Sequence, residues 1–150
     1  MAWHFLEFNQ LSNNDLYEIL RVRQEVFVVE QNINYVDADN VDQNCVHVLH
    51  KDDNGINAYA RILPVSISPY NHISFGRVLT AKNARKFGLG KELISKSIDY
   101  IKKQFPNETA IIISAQEYLE NFYKNFGFET ISEPYIEEEI LHVKMKLLLN

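Results

Sequence analysis

Arg85-Lys86-Phe87-Gly88-Leu89-Gly90 separates a β-rich run, Ile73 to Thr80, from an amphipathic run, Leu89 to Phe105. A strand, then a basic Arg-x-x-Gly-x-Gly loop, then a helix start is a device for gripping phosphate. Glycine lets the backbone approach a ligand closely, and the free N–H groups and positive dipole end of the helix attract anions. From Lys82 to Lys91 there are four basic residues (Lys82, Arg85, Lys86, Lys91) and no acidic one, in a chain whose net charge is −5. This reversal of sign predicts a small phosphate-bearing ligand.

Two commoner phosphate motifs do not fit. A P-loop needs glycine five residues before its Gly-Lys pair, where Arg85 stands, and Ser or Thr where Glu92 stands. The dinucleotide fingerprint Gly-x-Gly-x-x-Gly would read Gly88, Gly90 and then Leu93, without its third glycine.

With 150 residues, 46% hydrophobic and 23% charged, the chain has the composition of one globular domain, expected to span residues 1–150. The acidic balance argues against nucleic-acid binding, which needs a basic face. Met1 to Glu7 lacks the charged start and unbroken apolar core of a secretory signal, and no apolar run approaches bilayer length. A lone cysteine, Cys45, excludes an internal disulfide framework and suits a reducing cytoplasm. The expectation is a cytoplasmic protein with no membrane or nucleic-acid partner.

Hydrophobic periodicity orders the chain. Trp3 to Phe8 reads as a strand. Ser12 can cap a helix running to about Val29, with Leu16, Ile19, Leu20, Arg23 and Phe27 on one face. Asn32 to Asn44 is polar and acidic and reads as a solvated loop. Strands are expected at Cys45 to Lys51 and Ile56 to Ile67, joined by a hairpin turn at Asp53-Asn54-Gly55, and again at Ile73 to Thr80. The helix after the basic loop carries Leu89, Leu93, Ser97, Ile98, Ile101 and Phe105 on one side and stops at Pro106. Ala110 to Ile113 is apolar throughout, as in a strand buried on both faces. A short helix with Leu119, Phe122, Tyr123 and Phe126 ends at Gly127, and strands Phe128 to Ser132 and Ile140 to Leu149 close the chain. The order β α β β β α β α β β predicts an α/β protein with a mixed, mostly antiparallel sheet flanked by helices.

This order and the loop together resemble the GNAT superfamily of acetyl-CoA-dependent N-acetyltransferases. Arg85 to Gly90 resembles the family's pyrophosphate motif, and Phe122-Tyr123-Lys124-Asn125-Phe126-Gly127-Phe128 resembles its Phe-Tyr-x-x-x-Gly-Phe signature. Further segments are similar to the ElaA-type branch: Arg23-x-Glu25-Val26-Phe27-Val28-Val29-Glu30-Gln31, Ala58-Tyr59-Ala60-Arg61, Gly76-Arg77-Val78, Ala115-Gln116 and Tyr135…Glu138…Ile140-x-His142. Two positions depart from the wider family. Gln116 stands where many members have Asn, as in the ElaA-type branch, and Lys82 replaces a common Pro.

The resemblance implies the acyl-CoA N-acyltransferase fold, a sheet splayed around acetyl-CoA as co-substrate, and no metal. In such a fold the backbone of Val78, Leu79 and Thr80 would pair with pantetheine and polarise the thioester. The backbone of Lys86, Gly88, Leu89 and Gly90 would hold the pyrophosphate, with Arg85, Lys86 and Lys91 adding charge. Gln116 would hydrogen-bond pantetheine, and Phe87 and Phe122 complete the expected contact set. Tyr123 is the implied proton donor to the departing thiolate, since a phenol is protonated at neutral pH.

The general base stays open among Glu30, His47, His142 and water, since Ile73 to Thr80 carries no carboxylate. Arg61 and Arg77, on strands, suggest ion pairs with Glu25 or Glu30, or a grip on an anionic substrate group; the first is preferred. Asp37, Asp39 and Asp42 fail the calcium-loop pattern, with Val41, Asp42 and Val48 at its fifth, sixth and twelfth places. They read instead as a solvated entrance attracting a cationic amine. Cys45 and His47 permit an acyl-cysteine route on paper, but a packed thiol is the simpler expectation. The expected activity is direct acetyl transfer to a primary amine of a small molecule or protein, by a monomer or homodimer. The alternative is a non-catalytic acyl-CoA sensor or interaction module. Acceptor and acyl length are not legible.

Overall fold

The computed structural model describes residues 3–85 and 88–150. Strand β1 (Trp3–Glu7) leads to helix α1 (Asn13–Arg23), which continues as a wider π-turn through Gln24–Glu30. Ser12 caps α1 as expected, its hydroxyl accepting from the Asp15 N–H at 3.0 Å. Strands β2 (Val46–Asp52), β3 (Gly55–Leu63) and β4 (Ser74–Thr80) follow, then helix α2 (Leu89–Gln104) and strand β5 (Ala110–Gln116). A short helix α3 (Glu120–Lys124) precedes β6 (Glu129–Thr130), β7 (Tyr135–Glu137) and β8 (Ile140–Leu148).

The strands form two antiparallel sheets, β1-β2-β3-β4 and β5-β8-β6, with β7 also on β8. They touch through a parallel bridge, Ile73 to Ile111, where the Ile112 N–H donates to the Ile73 carbonyl at 3.1 Å. Beyond that bridge β4 pairs with β3 and β5 pairs with β8. The splayed, mostly antiparallel architecture expected from the sequence is therefore present. Strand β7 was not expected: its residues, Tyr-Ile-Glu, run straight into a Glu-rich turn and carry no apolar alternation.

The first sheet is covered on both faces, which explains why β2 and β3 are buried almost throughout. On one face Leu93, Ile94, Ile98 and Ile101 of α2 pack against Val46, Val48, Ala58, Ala60 and Ile62. On the other, Ile19, Val22, Val26 and Phe27 pack against Leu49, Tyr59 and Leu79. The expected stripe of α2 shifts slightly. Ile94 is fully buried, while Leu89 and Phe105 only flank the core. Ser97 is also fully buried and satisfies its hydroxyl on the Leu93 carbonyl at 2.8 Å.

The acidic run between α1 and β2 is not the solvated loop its composition suggests. Asp37 and Asp42 are buried, and the carboxylates of Asp37, Asp39 and Asp42 are spent on three arginines. Arg23, fully buried on α1, donates to Asp37 Oδ2 and Asp42 Oδ1, both at 2.7 Å. Arg61 on β3 reaches Asp39 and Asp42, and Arg77 on β4 reaches Asp37 and Asp39. The expected partners are engaged elsewhere, Glu25 by Arg21 and Glu30 by Arg85. Two arginines at buried positions, Arg23 and Arg61, and the half-buried Arg77 require negative charges close by, because an unpaired buried charge is prohibitive.

Candidate active site

Where β4 and β5 diverge, a cleft of about 800 Å³ passes through the gap. Its β4 wall includes Val78, Leu79 and Thr80, and its β5 wall includes Ser114, Ala115 and Gln116. Antiparallel register makes Gln116 the partner of His142 and Ala115 the partner of Val143. Partners across a ladder share a face and neighbours along a strand alternate. Ile113, Ala115, Val143 and Met145 face a core that includes Tyr123 and Phe128, so Ser114, Gln116 and His142 occupy the opposite face. The cleft is lined by residues from both faces.

The bulge in β4 shapes one wall. Between the pairs Tyr59–Leu79 and Arg61–Gly76, two residues of β4 (Arg77 and Val78) lie opposite one of β3 (Ala60). Arg77 takes a left-handed φ of 50°, unusual for a side chain of its size. Its guanidinium fixes that conformation by donating from Nε to Asp37 Oδ1 at 2.7 Å and from Nη2 to the Asp37 carbonyl at 3.0 Å. The bulge turns β4 away from regular pairing where it borders the cleft.

At one end of the cleft stand Arg85, Thr80, Gly90 and Phe122. Arg85 holds the Glu30 carboxylate through Nη2 at 2.6 Å and through Nη1, while its Nε donates to the Thr80 carbonyl at 3.1 Å. The Arg85 hydrogen bond lowers the proton affinity of Glu30, which makes Glu30 a poor base. Gly88 caps α2 in the left-handed region, φ 70°, where a β-carbon would be strained. A β-carbon on Gly90 would meet Phe122 and Thr80 only at 3.9 Å. Gly88, Leu89 and Lys91 sit at the start of α2 but outside the cleft lining. Lys86 and Phe87 lie outside the described residues.

Tyr123 is 4% exposed, lines the cleft and packs among Phe75, Phe122 and Phe128. Burial drives its phenol well above the ordinary value of 10.0, so it stays protonated. Among the described residues its hydroxyl has no hydrogen-bond partner.

The other two base candidates differ sharply. His47 is fully buried behind the sheet, outside the cleft lining. Its Nε2 donates to the Asp42 carbonyl at 2.9 Å and its Nδ1 accepts from Tyr59 at 2.7 Å. Burial lowers its pKa. His47 is a neutral structural strut. His142 lines the cleft, held through Nδ1 by the Ile140 carbonyl at 2.8 Å, with Nε2 3.7 Å from Glu137 Oε2. Cys45 is buried with its thiol pushed up to about 12, chiefly by desolvation, as suits a packing residue.

Sequence reasoning did not single out Ser114 and Glu137, and it gave Tyr135 no role beyond its place in the family resemblance. Ser114 Oγ donates to Glu137 Oε1 at 3.1 Å and lies 2.5 Å from the Tyr135 hydroxyl. A serine inside an otherwise apolar strand was the available signal. Among the described residues no His, Cys, Asp or Glu group is arranged to hold a metal, and no helix is long and apolar enough to cross a membrane.

A sheet split at a bulged strand, opening a through-going cleft beside a glycine-led helix start, is the acyl-CoA N-acyltransferase architecture. The chain superposes on an acyl-CoA N-acyltransferase from Pseudomonas aeruginosa with a TM-score of 0.90 and 31% identity, covering 98% of this chain and 99% of the other. With Escherichia coli ElaA the TM-score is 0.87 at 34% identity, covering 97% of each. A UPF0039 protein of Synechocystis is 40% identical over 144 residues, 95% of this chain and 92% of its own. The family model described as "Acetyltransferase (GNAT) domain" matches residues 12–149, and the chain belongs to that acetyltransferase family, in its ElaA-type branch.

Proposed function

We propose that the protein transfers the acetyl group of acetyl-CoA directly to a primary amine, with Tyr123 as the acid that protonates the departing thiolate. The observation carrying this is the juxtaposition of a protonated phenol, unpartnered among the described residues, with a cleft that runs between two separated strand edges. Val78, Leu79 and Thr80 present backbone that would pair with the pantetheine amides and polarise the thioester carbonyl. The start of α2, with Gly88 and Gly90 and the charges of Arg85 and Lys91, would bind the pyrophosphate, with Lys86 and Phe87 assigned there from the sequence pattern. Gln116 and Phe122 would flank the pantetheine arm.

Direct transfer is favoured over an acyl-enzyme because Cys45 is buried, protonated and outside the cleft lining. Catalysis is favoured over a sensor role because a buried phenol in the cleft wall is a feature binding alone does not need. Acetyl-CoA binding is tested by thermal unfolding. Saturating acetyl-CoA should raise the melting temperature, with the shift reduced by salt and lost in Gly90→Asp, whose carboxylate would repel phosphate. An unchanged melting temperature in the unaltered protein would remove the proposal.

A further inference from the structure

We infer that His142 is the general base of this transfer and that Glu137 sits beside it to receive the acceptor's ammonium, an inference that rests on the acetyl-transfer reading above. At neutral pH an aliphatic amine arrives as an ammonium and must lose a proton before it can attack. Of the three ionisable candidates, His142 alone combines a place in the cleft wall with an uncommitted basic atom. Glu30 is engaged by Arg85, and both ring nitrogens of His47 are bonded behind the sheet.

The geometry fixes which nitrogen is basic. The Ile140 carbonyl can only accept, so Nδ1, 2.8 Å away, carries a hydrogen, and in the neutral ring the lone pair is on Nε2. His142 is 7% exposed as a residue, and its ring stacks on Tyr135 at 6.2 Å between centroids, which holds its orientation. Register places His142 beside Gln116, on the face of β5 opposite the core that includes Tyr123. Base and acid thus flank the strand edge along which the thioester would lie. Glu137 Oε2, 3.7 Å from Nε2, belongs to a carboxylate whose other oxygen is steadied by Ser114.

The Glu137 side chain is 48% exposed and lines the cleft, within reach of an incoming cation. The remaining groups facing the ring are Tyr135 from β7 and the uncharged Ser114 and Gln116 from β5. On its own strand Lys144 lies over the Tyr70 and Tyr135 rings.

Protons and bonds balance as follows. The ammonium gives one proton to Nε2, from which it passes to solvent. The C–N bond forms and the C–S bond breaks. Tyr123 supplies the proton that the thiolate takes up, and the second proton released by the nitrogen restores the phenol through water.

The tautomer is tested on the unaltered protein by 15N NMR of the His142 ring. The Nδ1–H tautomer of the neutral ring is expected, and an Nε2–H tautomer overturns the assignment. The kinetic test compares 1,4-diaminobutane, an ammonium at neutral pH, with hydroxylamine, which is already unprotonated there. His142→Gln should lose about 10²-fold in turnover with the diamine, lose far less with hydroxylamine, and keep its acetyl-CoA-induced thermal shift. Equal losses with both amines, or no loss, overturn the inference. Thiol release by the unaltered protein with a flat response to His142→Gln overturns only the base and leaves acetyl transfer standing.

Discussion

Asp37 holds Arg77 in the left-handed conformation that makes the β4 bulge, and the same carboxylate binds the buried Arg23 of α1. One side chain therefore ties the helix, the acidic loop and the cleft wall together. Removing one partner from a buried ion pair leaves the others uncompensated, at a cost of about 3–5 kcal/mol. Asp37→Ala should destabilise the protein by that order in urea unfolding, whereas Asp53→Ala, in an exposed hairpin turn, should change stability by under about 0.5 kcal/mol. Equal effects would show that the network is not holding the fold.

Acid should unfold the protein in two stages. His47 has its pKa lowered from 6.5 by burial, so the unfolded chain binds its proton more readily. The stability it contributes is present above 6.5 and is lost as pH falls through the lowered folded value. Asp39 follows the same sign. Burial opposes its ionisation, but the Arg61 hydrogen bonds and charge prevail and take its carboxyl from 3.8 to about 2. Asp42 is lowered likewise by Arg23 and Arg61. Melting temperature should fall first below about 6.5, then again between 3.8 and about 2. His47→Gln should remove the first step and leave the second.

The fate of the acidic loop shows where the sequence was legible. The capping Ser12, the hairpin at Asp53-Asn54-Gly55 and the doubly buried Ala110 to Ile113 are local signals, and each appears in the structure. Asp37, Asp39 and Asp42 were misread because a run of carboxylates looks solvated unless its partners are known. Those partners come from α1, β3 and β4, 14 to 40 residues away. A local clue did exist: Arg23 stood on the apolar face of the first helix, and Arg61 and Arg77 stood on strands. Base candidates were harder still. Neither the satisfaction of His47 nor the place of His142 in the cleft wall can be seen before the register of β2 and β8 is known.

Glu30 and Arg85 form an ion pair that phosphate would compete for, with side chains about one-third exposed. Such a pair stabilises by about 1 kcal/mol or less, so Glu30→Gln should tighten acetyl-CoA binding by about two- to fivefold, more at low salt than at high. Arg85→Gln should weaken binding and flatten its salt dependence. Isothermal titration at two ionic strengths checks both. Weaker binding by Glu30→Gln would mean that Glu30 orients Arg85 for the ligand instead of competing for it.

Tyr123→Phe keeps the ring among Phe75, Phe122 and Phe128 and removes only the hydroxyl. Turnover should drop by about 10²-fold or more with acetyl-CoA affinity nearly unchanged. Turnover at the unaltered rate would make Tyr123 a packing residue. A large loss of affinity would assign its hydroxyl to ground-state binding.

The central claim is acetyl transfer to an amine, and its most direct measurement is thiol release from acetyl-CoA across a panel of primary amines, with products weighed by mass spectrometry. The account predicts amine-dependent, saturable thiol release and a product one acetyl group heavier than its amine. Saturable acetyl-CoA binding with no amine-dependent release across polyamines, aminosugars, amino acids and peptide amines would contradict it and leave a protein that binds the thioester without using it.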